Sequence, residues 1–290
     1  MPEGHSVHRI ARQFARHFLN VPVAVSSPQG RFAGDAAQLD GHTIVQAKAV
    51  GKQMFLEFDH GLWLRVHLGL YGAWDFAGDI SVGGDGESSL SSIGAPRLTR
   101  LRMSEQEKRG DDLESFPPDP IGQVRVRLLT STAVADLRGP TACEILAPEE
   151  VQAAIDKLGP DPLVDDIAQG EETFTATVRK KPTAIGLLLM DQSVVSGIGN
   201  VFRAEMLFRA RQNPFTPGRE VREEVVRELW RDWVRLLRIG FETGRMITMD
   251  DGPDYWVYQR TGEPCRICGT PIALQEIGGR NLYWCPTDQA

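Results

Sequence analysis

The residues best placed to do chemistry are the first few, Met1-Pro2-Glu3-Gly4-His5. Methionine is expected to be removed when the next residue is as small as proline, leaving Pro2 with a free secondary amine. A terminal amine titrates near roughly 7.7–8.0, well below a lysine, so a usable fraction is an unprotonated nucleophile at neutral pH. The positive end of a helix macrodipole disfavours an added proton and lowers that value further. Such an amine can attack an electrophilic carbon without a separate base, and Glu3 can deliver or collect the proton that the attack moves. The same two residues equally suit an ordinary helix start, with proline at the first position and a carboxylate in the first turn. The rest of the chain decides between these readings.

A second chemical pattern lies in the tail. Three of the four cysteines, Cys265, Cys268 and Cys285, fall within the last 26 residues, which favours a metal over a disulfide framework. The spacing is Cys-x2-Cys, sixteen residues, then Cys-x2-Asp, the two knuckles of a zinc ribbon for one structural ion. Zinc accepts a carboxylate oxygen, so Asp288 can complete the tetrahedron; the alternative is a weak or absent metal. Between the knuckles Gly278-Gly279-Arg280-Asn281 forms a hairpin turn. It lifts Arg280 to where a guanidinium can grip phosphate with two parallel hydrogen bonds.

Three further stretches offer groups to a polyanion. Lys52 follows Gly51 at the entrance to a strand, as a solvated charge or as part of a site. Gly197-Ile198-Gly199-Asn200 joins two apolar helices. Such a turn is either a plain corner or a helix N-terminus that presents backbone N–H groups to an anion. Leu70 and Tyr71, bracketed by Gly69 and Gly72, either cap the core or wedge into a base stack.

These residues need elements to hold them. Val7, Ile10, Ala11, Phe14 and Phe18 recur at helical spacing with Arg9, Arg12 and Arg16 on other faces, an amphipathic helix with Pro2 and Glu3 at its mouth. From about residue 22 the period changes to two. Met54, Leu56 and Phe58 alternate with Phe55 and Glu57, Asp59-His60-Gly61 makes a turn, and Leu62, Leu64, Val66 and Leu68 return, an antiparallel hairpin. Residues 77–120, rich in Gly, Ser, Asp and Glu and ending in Pro117-Pro118-Asp119-Pro120, read as an inserted mobile loop. Strand pattern resumes at Val124–Leu128 and Ala133–Leu137, and the sheet region closes near Arg138-Gly139-Pro140. Cys143 reads as a small core residue. Pro148 opens a helix stopped by Gly159-Pro160, and from there to about residue 245 the chain reads as helical.

Composition bounds the answer. At 290 residues there is room for two domains with ample core, and 41 % hydrophobic with 24 % charged residues is ordinary for a soluble globular chain. No apolar run approaches a membrane span, and no signal-peptide stretch opens the chain, so the reading is cytosolic. The net charge of −7 is unevenly spread. Residues 77–120 hold nine acidic against five basic side chains, while residues 176–246 hold thirteen basic against eight acidic. A local basic face can bind phosphates on a protein of negative net charge.

In order along the chain, Pro2-Glu3-Gly4, Gly51-Lys52, Gly159-Pro160-Asp161-Pro162-Leu163, the Gly197–Asn200 turn and the Cys265-to-Asp288 tail resemble the formamidopyrimidine-DNA glycosylase and endonuclease VIII family of base-excision repair enzymes. The resemblance implies an α+β protein: an N-terminal helix with an antiparallel β-sandwich (1–140), a helix-two-turn-helix domain (141–250) and a zinc-finger β-hairpin (251–290). It implies that Pro2 attacks the anomeric carbon of a damaged nucleotide, that Glu3 protonates the opening sugar, and that β- and δ-elimination then cut the strand. Lys52, Asn200 and Arg280 would clamp phosphates, Tyr258 and Arg260 would add to the grip, and Leu70 and Tyr71 would fill the space of the extruded base. The partner is damaged double- or single-stranded DNA, bound by a monomer in the bacterial cytosol or nucleoid. Pro2-Glu3-Gly4 and Leu70-Tyr71-Gly72 look more like the endonuclease VIII branch, which favours oxidised pyrimidines. The sequence departs from the family at Asp288, where a fourth cysteine is usual, and at 77–120. The competing reading is a non-catalytic DNA-damage or abasic-site binder of the same fold; retention of both Pro2 and Glu3 argues against it.

Overall fold

A computed structural model describes residues 2–81, 98–105, 107–110, 113, 115–249 and 255–290. The chain divides into two compact units, residues 1–156 with 242–244, and residues 157–241 with 245–290.

The first unit opens with α1 (Gly4–His17), followed by β1 (Ala24–Ser26), α2 (Ala33–Leu39), β2 (Ile44–Val50), β3 (Gln53–Phe58), β4 (Trp63–His67), β5 (Ala73–Gly78), β6 (Thr99–Met103), β7 (Glu107–Arg109), β8 (Val124–Leu129), β9 (Ala133–Arg138), β10 (Ala142–Leu146) and α3 (Pro148–Ile155). The strands form two antiparallel sheets, in the orders β1-β8-β9-β5-β6-β7 and β10-β4-β3-β2. One core draws on both sheets and on α1: Val7, Ile10, Ala11, Phe14 and Phe18, the positions expected from the helical period, are all buried in it. Phe14 is its hub, with the rings of Phe18, Trp74 and Phe76 at 5.0, 4.8 and 5.1 Å. Such ring pairs add about 0.5–1.5 kcal/mol each beyond area burial. The strand period is equally clear: Met54, Leu56, Phe58, Leu64, Val66 and Leu68 face this core, while Phe55 and Trp63 on the other face pack with Val151 of α3.

One expectation is corrected here. Residues 77–120 are not one loop: β5 runs to Gly78, and β6 and β7 extend the six-stranded sheet, with Leu101 and Met103 in the core and Arg100 and Arg102 on the other face. The alternation Thr-Arg-Leu-Arg-Met carried that signal inside a charged stretch. Residues 82–97 lie outside the described residues. Arg9, off the apolar face of α1, has a partner of its own. It is buried, with its guanidinium bonded to both carboxylate oxygens of Glu107. That partner is 98 residues away and gives no local sequence signal.

The second unit holds α4 (Ile167–Lys180), α5 (Ile185–Leu188), α6 (Asn200–Arg209), a 3-10 turn (Gly218–Glu220), α7 (Glu223–Thr243) and the hairpin β11 (Ala273–Ile277) with β12 (Arg280–Trp284). Asp166 caps α4 by accepting the Gln169 N–H at 2.8 Å. The expected helix before the Gly197 turn shrinks to the single turn of α5, and hydrogen-bonded turns carry the chain from Leu189 to Gly199. Phe174, Val178, Leu188, Phe202, Val226, Trp230, Trp233 and Leu237 form the core. Trp230 lies across α4 at Gly170, and its indole N–H donates to the Ile167 carbonyl at 3.1 Å.

That crossing generates a prediction. A Cβ at Gly170 would stand 2.4 Å from the buried Trp230 ring. Overpacking of this kind typically costs about 1–3 kcal/mol. The gain in helix propensity from Gly→Ala is only about 1 kcal/mol. Gly170→Ala should therefore lower the melting temperature, and an unchanged or raised value would refute the packing role of Gly170.

Candidate active site

The first unit carries Pro2, Glu3, Lys52, Leu70 and Tyr71, and the second carries Asn200, Tyr258, Arg260, Arg280 and the cysteines of the tail. Glu3 is the N-cap of α1 in extended backbone (φ −112°, ψ 176°). Its carbonyl accepts from Ser6 N–H (3.0 Å), Val7 N–H (3.3 Å) and the Ser6 hydroxyl (2.9 Å). Its carboxylate takes no part in capping, yet the residue is wholly buried, and Pro2 is buried beside it. A surface carboxylate placed only to start a helix shows neither feature. Two residues on, His5 is buried, and burial, followed by the Arg9 charge, lowers its pKa from 6.5 to about 3. The imidazole is thus neutral at any physiological pH, and α1 opens without a charge from that ring.

Lys52 sits in the tight turn between β2 and β3, entered through Gly51 at φ +57°. α1 packs on both of these strands. Lys52 is only 8 % exposed, so it is not the solvated charge that a lysine in a turn usually is. Its charge reaches His67, which pairs with Gln53 across β3 and β4. Burial first, then Lys52, pushes His67 below the usual histidine range. Leu70 and Tyr71 do not cap the core: they are 43 % and 82 % exposed, at the tip between β4 and β5. Gly69 has φ +65°, and a Cβ on Gly72 would stand 2.3 Å from the Leu68 carbonyl, so both bracketing glycines are required by the turn.

In the second unit the sequence motifs brace one another. The Gly159 N–H donates to the Gln192 carbonyl (2.8 Å), the Ser196 hydroxyl to the Gly159 carbonyl (2.7 Å) and the Ser196 N–H to the Pro160 carbonyl (3.1 Å). The Gln192 carboxamide accepts the Gly197 N–H (3.0 Å) and donates to the Ile198 carbonyl (3.1 Å). The turn is therefore stapled from within, and the Gly197 N–H is committed to Gln192 rather than offered to an anion. α6 begins at Asn200, whose Nδ2 donates to the Asn281 carbonyl at 2.9 Å. The buried Arg203 donates to the same carbonyl (3.1 Å) and to Asn200 Oδ1. These bonds pin the start of β12 to the start of α6.

Arg280 is the residue so placed. Gly278 and Gly279 have φ +60° and +70°, the two positive values of a type I′ turn, and Arg280 faces Ile277 directly after it. Among the described residues its exposed guanidinium has no partner. Tyr258 stands edge-on to Tyr255 (5.4 Å) and Tyr283 (5.2 Å). Arg260 is taken up internally, donating to the carbonyls of Trp256 and Pro264 (2.9 Å) and to Glu263 (2.9 Å). Two positioning residues gave no sequence signal strong enough to single out: Arg203 and Glu205. Glu205 accepts from the backbone N–H groups of Trp256 (2.8 Å), Val257 (2.9 Å) and Tyr258 (2.8 Å) and from the Thr248 hydroxyl (2.6 Å). A charged residue amid the apolar run Ala204-Met206-Leu207-Phe208 was the available clue.

The donor atoms of Cys265, Cys268, Cys285 and Asp288 all lie within 4.8 Å of one another. Asp288 Oδ2 is 3.1 Å from Cys265 Sγ and 3.5 Å from Cys285 Sγ, and Cys268 and Cys285 sulfurs are 3.5 Å apart. Zinc bonds of about 2.0–2.3 Å set tetrahedral edges of roughly 3.3–3.8 Å, so the group fits the ion. Backbone N–H groups of Ile267 and Asp288 point at the Cys265 and Cys285 sulfurs (3.4 Å each), as thiolate ligands require.

Comparison with known proteins agrees with this geometry. Family models match residues 1–138 (formamidopyrimidine-DNA glycosylase N-terminal domain), 158–251 (formamidopyrimidine-DNA glycosylase H2TH domain) and 262–290 (a zinc finger found in FPG and IleRS). Endonuclease 8 1 of Mycobacterium tuberculosis is 38 % identical over 301 residues, covering all of both chains. A formamidopyrimidine-DNA glycosylase of Rippkaea orientalis is 34 % identical over 153 residues, 49 % of this chain and 54 % of its own. The fold matches the MutM (Fpg) protein of Thermus thermophilus (TM-score 0.70, 23 % identity, covering 99 % and 98 % of the two chains). It also matches Lactococcus lactis Fpg (MutM) solved with N7-benzyl-Fapy-dG DNA (TM-score 0.76, 19 % identity, covering 99 % of each). The chain belongs to the formamidopyrimidine-DNA glycosylase and endonuclease 8 family of DNA repair glycosylases.

Two predictions come from this geometry. His5 is held neutral when folded, whereas in the unfolded chain it takes up a proton near pH 6.5. Its contribution to stability is complete above that pH and is lost as pH falls toward about 3, at most roughly 4–5 kcal/mol. His5→Asn should flatten the acid limb of a stability-against-pH curve, and an unaltered slope below pH 6 would refute this. Asp288→Cys should hold zinc more tightly against a chelator; equal release from both proteins would remove Asp288 from the ligand set.

Proposed function

We propose that this chain is a bifunctional DNA glycosylase and abasic-site lyase of base-excision repair, acting through Pro2 and favouring oxidised pyrimidines. The observation that carries the reading is the buried Pro2–Glu3 pair at the mouth of α1, with a carboxylate that does not serve as the helix cap. With Met1 removed, the Pro2 nitrogen attacks the anomeric carbon as the glycosidic bond breaks, and the base leaves with a proton. Glu3 protonates the ring oxygen as the sugar opens, leaving an iminium between Pro2 and the sugar. Loss of the adjacent carbon-bound proton then expels the 3′ phosphate, and a second elimination expels the 5′ phosphate.

In this reading residues 1–140 carry the nucleophile and the wedge, 141–250 the helix-two-turn-helix, and 251–290 the hairpin that presents Arg280. Tyr71, with Leu70, enters the space left by the flipped nucleotide. Lys52 and Arg280 hold phosphates, and Asn200 adds its second amide hydrogen. Arg260 and Glu205 act on the clamp indirectly by fixing the segment that bears Tyr258. One structural zinc on Cys265, Cys268, Cys285 and Asp288 fixes the hairpin. The preference for pyrimidines follows the mycobacterial endonuclease 8 1 likeness and the Leu70-Tyr71 loop. No described helix is long and apolar enough to cross a membrane, and the enzyme is taken to work as a monomer at the bacterial nucleoid.

The test is a single protein prepared with and without a removable tag ahead of Pro2. Freed to begin at Pro2, it should cut abasic duplex, and cut an oxidised pyrimidine faster than an oxidised purine. Tagged, it should still bind but lose cutting by several orders of magnitude. Full cutting by the tagged protein would overturn the assignment of the nucleophile.

A further inference from the structure

We propose that His42, Asp59 and His60 form a second metal site, for a late first-row divalent ion, in the first unit and remote in chemistry from the cysteine cluster. The three side chains meet at one end of the β2–β3 hairpin, the end opposite the turn that holds Lys52. His42 Nδ1 is 2.7 Å from Asp59 Oδ1, and His60 Nδ1 is 3.6 Å from the same oxygen. The two imidazoles stack at 3.7 Å with their planes 23° apart, so both present Nδ1 to one carboxylate. All the donor atoms lie within 4.8 Å of one another.

The carboxylate is held ready for this. The Asp59 N–H donates to the Thr43 carbonyl at 2.9 Å, and Asp59 Oδ2 accepts the Thr43 N–H at 3.2 Å, which leaves Oδ1 turned toward the rings. Gly61, at φ +87°, lets the hairpin turn tightly enough to fold His60 back over His42, and Phe58 stands edge-on to the His60 ring at 6.2 Å.

Metal–ligand bonds of about 2.0–2.1 Å in a tetrahedron separate neighbouring donor atoms by roughly 3.3 Å. The observed 2.7 and 3.6 Å bracket that value. An ion bound there would replace the hydrogen bond between His42 and Asp59. With each ring in its Nε2–H tautomer both Nδ1 lone pairs are free for an ion, and binding it would splay the stacked rings apart until each ring plane contains the ion. Two imidazoles and one carboxylate suit Zn(II), Ni(II) and Cu(II), whereas a thiolate-rich cluster selects zinc and softer ions. Three protein ligands on an accessible turn leave coordination positions for water or an outside donor. Bound there, an ion would tie the chain just before β2 to the turn after β3.

The experiment uses the full chain with its cysteine cluster first saturated with zinc and the excess removed. Titration with Ni(II) alone, followed by calorimetry and by metal analysis, should show one further ion per chain and a raised melting temperature. H42A and H60A should each weaken Ni(II) binding by about tenfold or more and abolish the thermal shift, with the zinc content unchanged. No saturable Ni(II) binding to the zinc-loaded chain would overturn the proposal. So would binding that persists undiminished in the H42A/H60A double variant.

Discussion

The structure depends most on how α1 is held. A nucleophile at a chain terminus is useful only if that terminus does not move, and a helix is rigid only when one face is buried well. Phe14 provides this by meeting Phe18 on its own helix and Trp74 and Phe76 on the six-stranded sheet at centroid distances near 5 Å. Removing such a ring typically costs about 3–5 kcal/mol. Arg9, buried and bonded to Glu107 of β7, fixes the same helix about its axis. Packing and an internal ion pair together deliver Pro2 and Glu3 to one place.

The second unit solves the same problem differently. Arg280 stands on a two-residue turn, where loop motion would ordinarily blur its position. The turn is fixed because the carbonyl of Asn281, next in sequence, accepts from both Asn200 and the buried Arg203. The cysteine cluster anchors the far end of the hairpin, and Glu205 ties down the incoming chain through three backbone N–H groups. An accessible cation thus rests on a framework whose polar groups are spent on one another. Removing one partner would leave a buried donor or acceptor unpaired, at a cost of about 1–3 kcal/mol.

Much of this was legible beforehand because it follows from period and spacing. The buried face of α1, the β3–β4 hairpin, the start of α6 at Asn200 and the Cys-x2-Cys and Cys-x2-Asp knuckles are local patterns. What was not legible depends on distant partners or on charge masking a pattern. β6 and β7 hid in an acidic, serine-rich stretch because composition outweighed a five-residue alternation. The burial and pairing of Arg9 could not be read from the sequence because Glu107 lies 98 residues along the chain. Arg260 was named for the grip on DNA through the resemblance alone, and the structure adds that it also donates to the Trp256 and Pro264 carbonyls, each four residues away.

The central claim is that a buried terminal proline forms a covalent bond with a DNA sugar. Borohydride trapping tests it most directly: protein confirmed to begin at Pro2 is incubated with abasic-site DNA and reduced, and the cross-linked peptide is identified by mass spectrometry. The account predicts a stable complex with the sugar attached to the Pro2 nitrogen. A cross-link through a lysine, or no cross-link from protein that binds the same DNA, would contradict it.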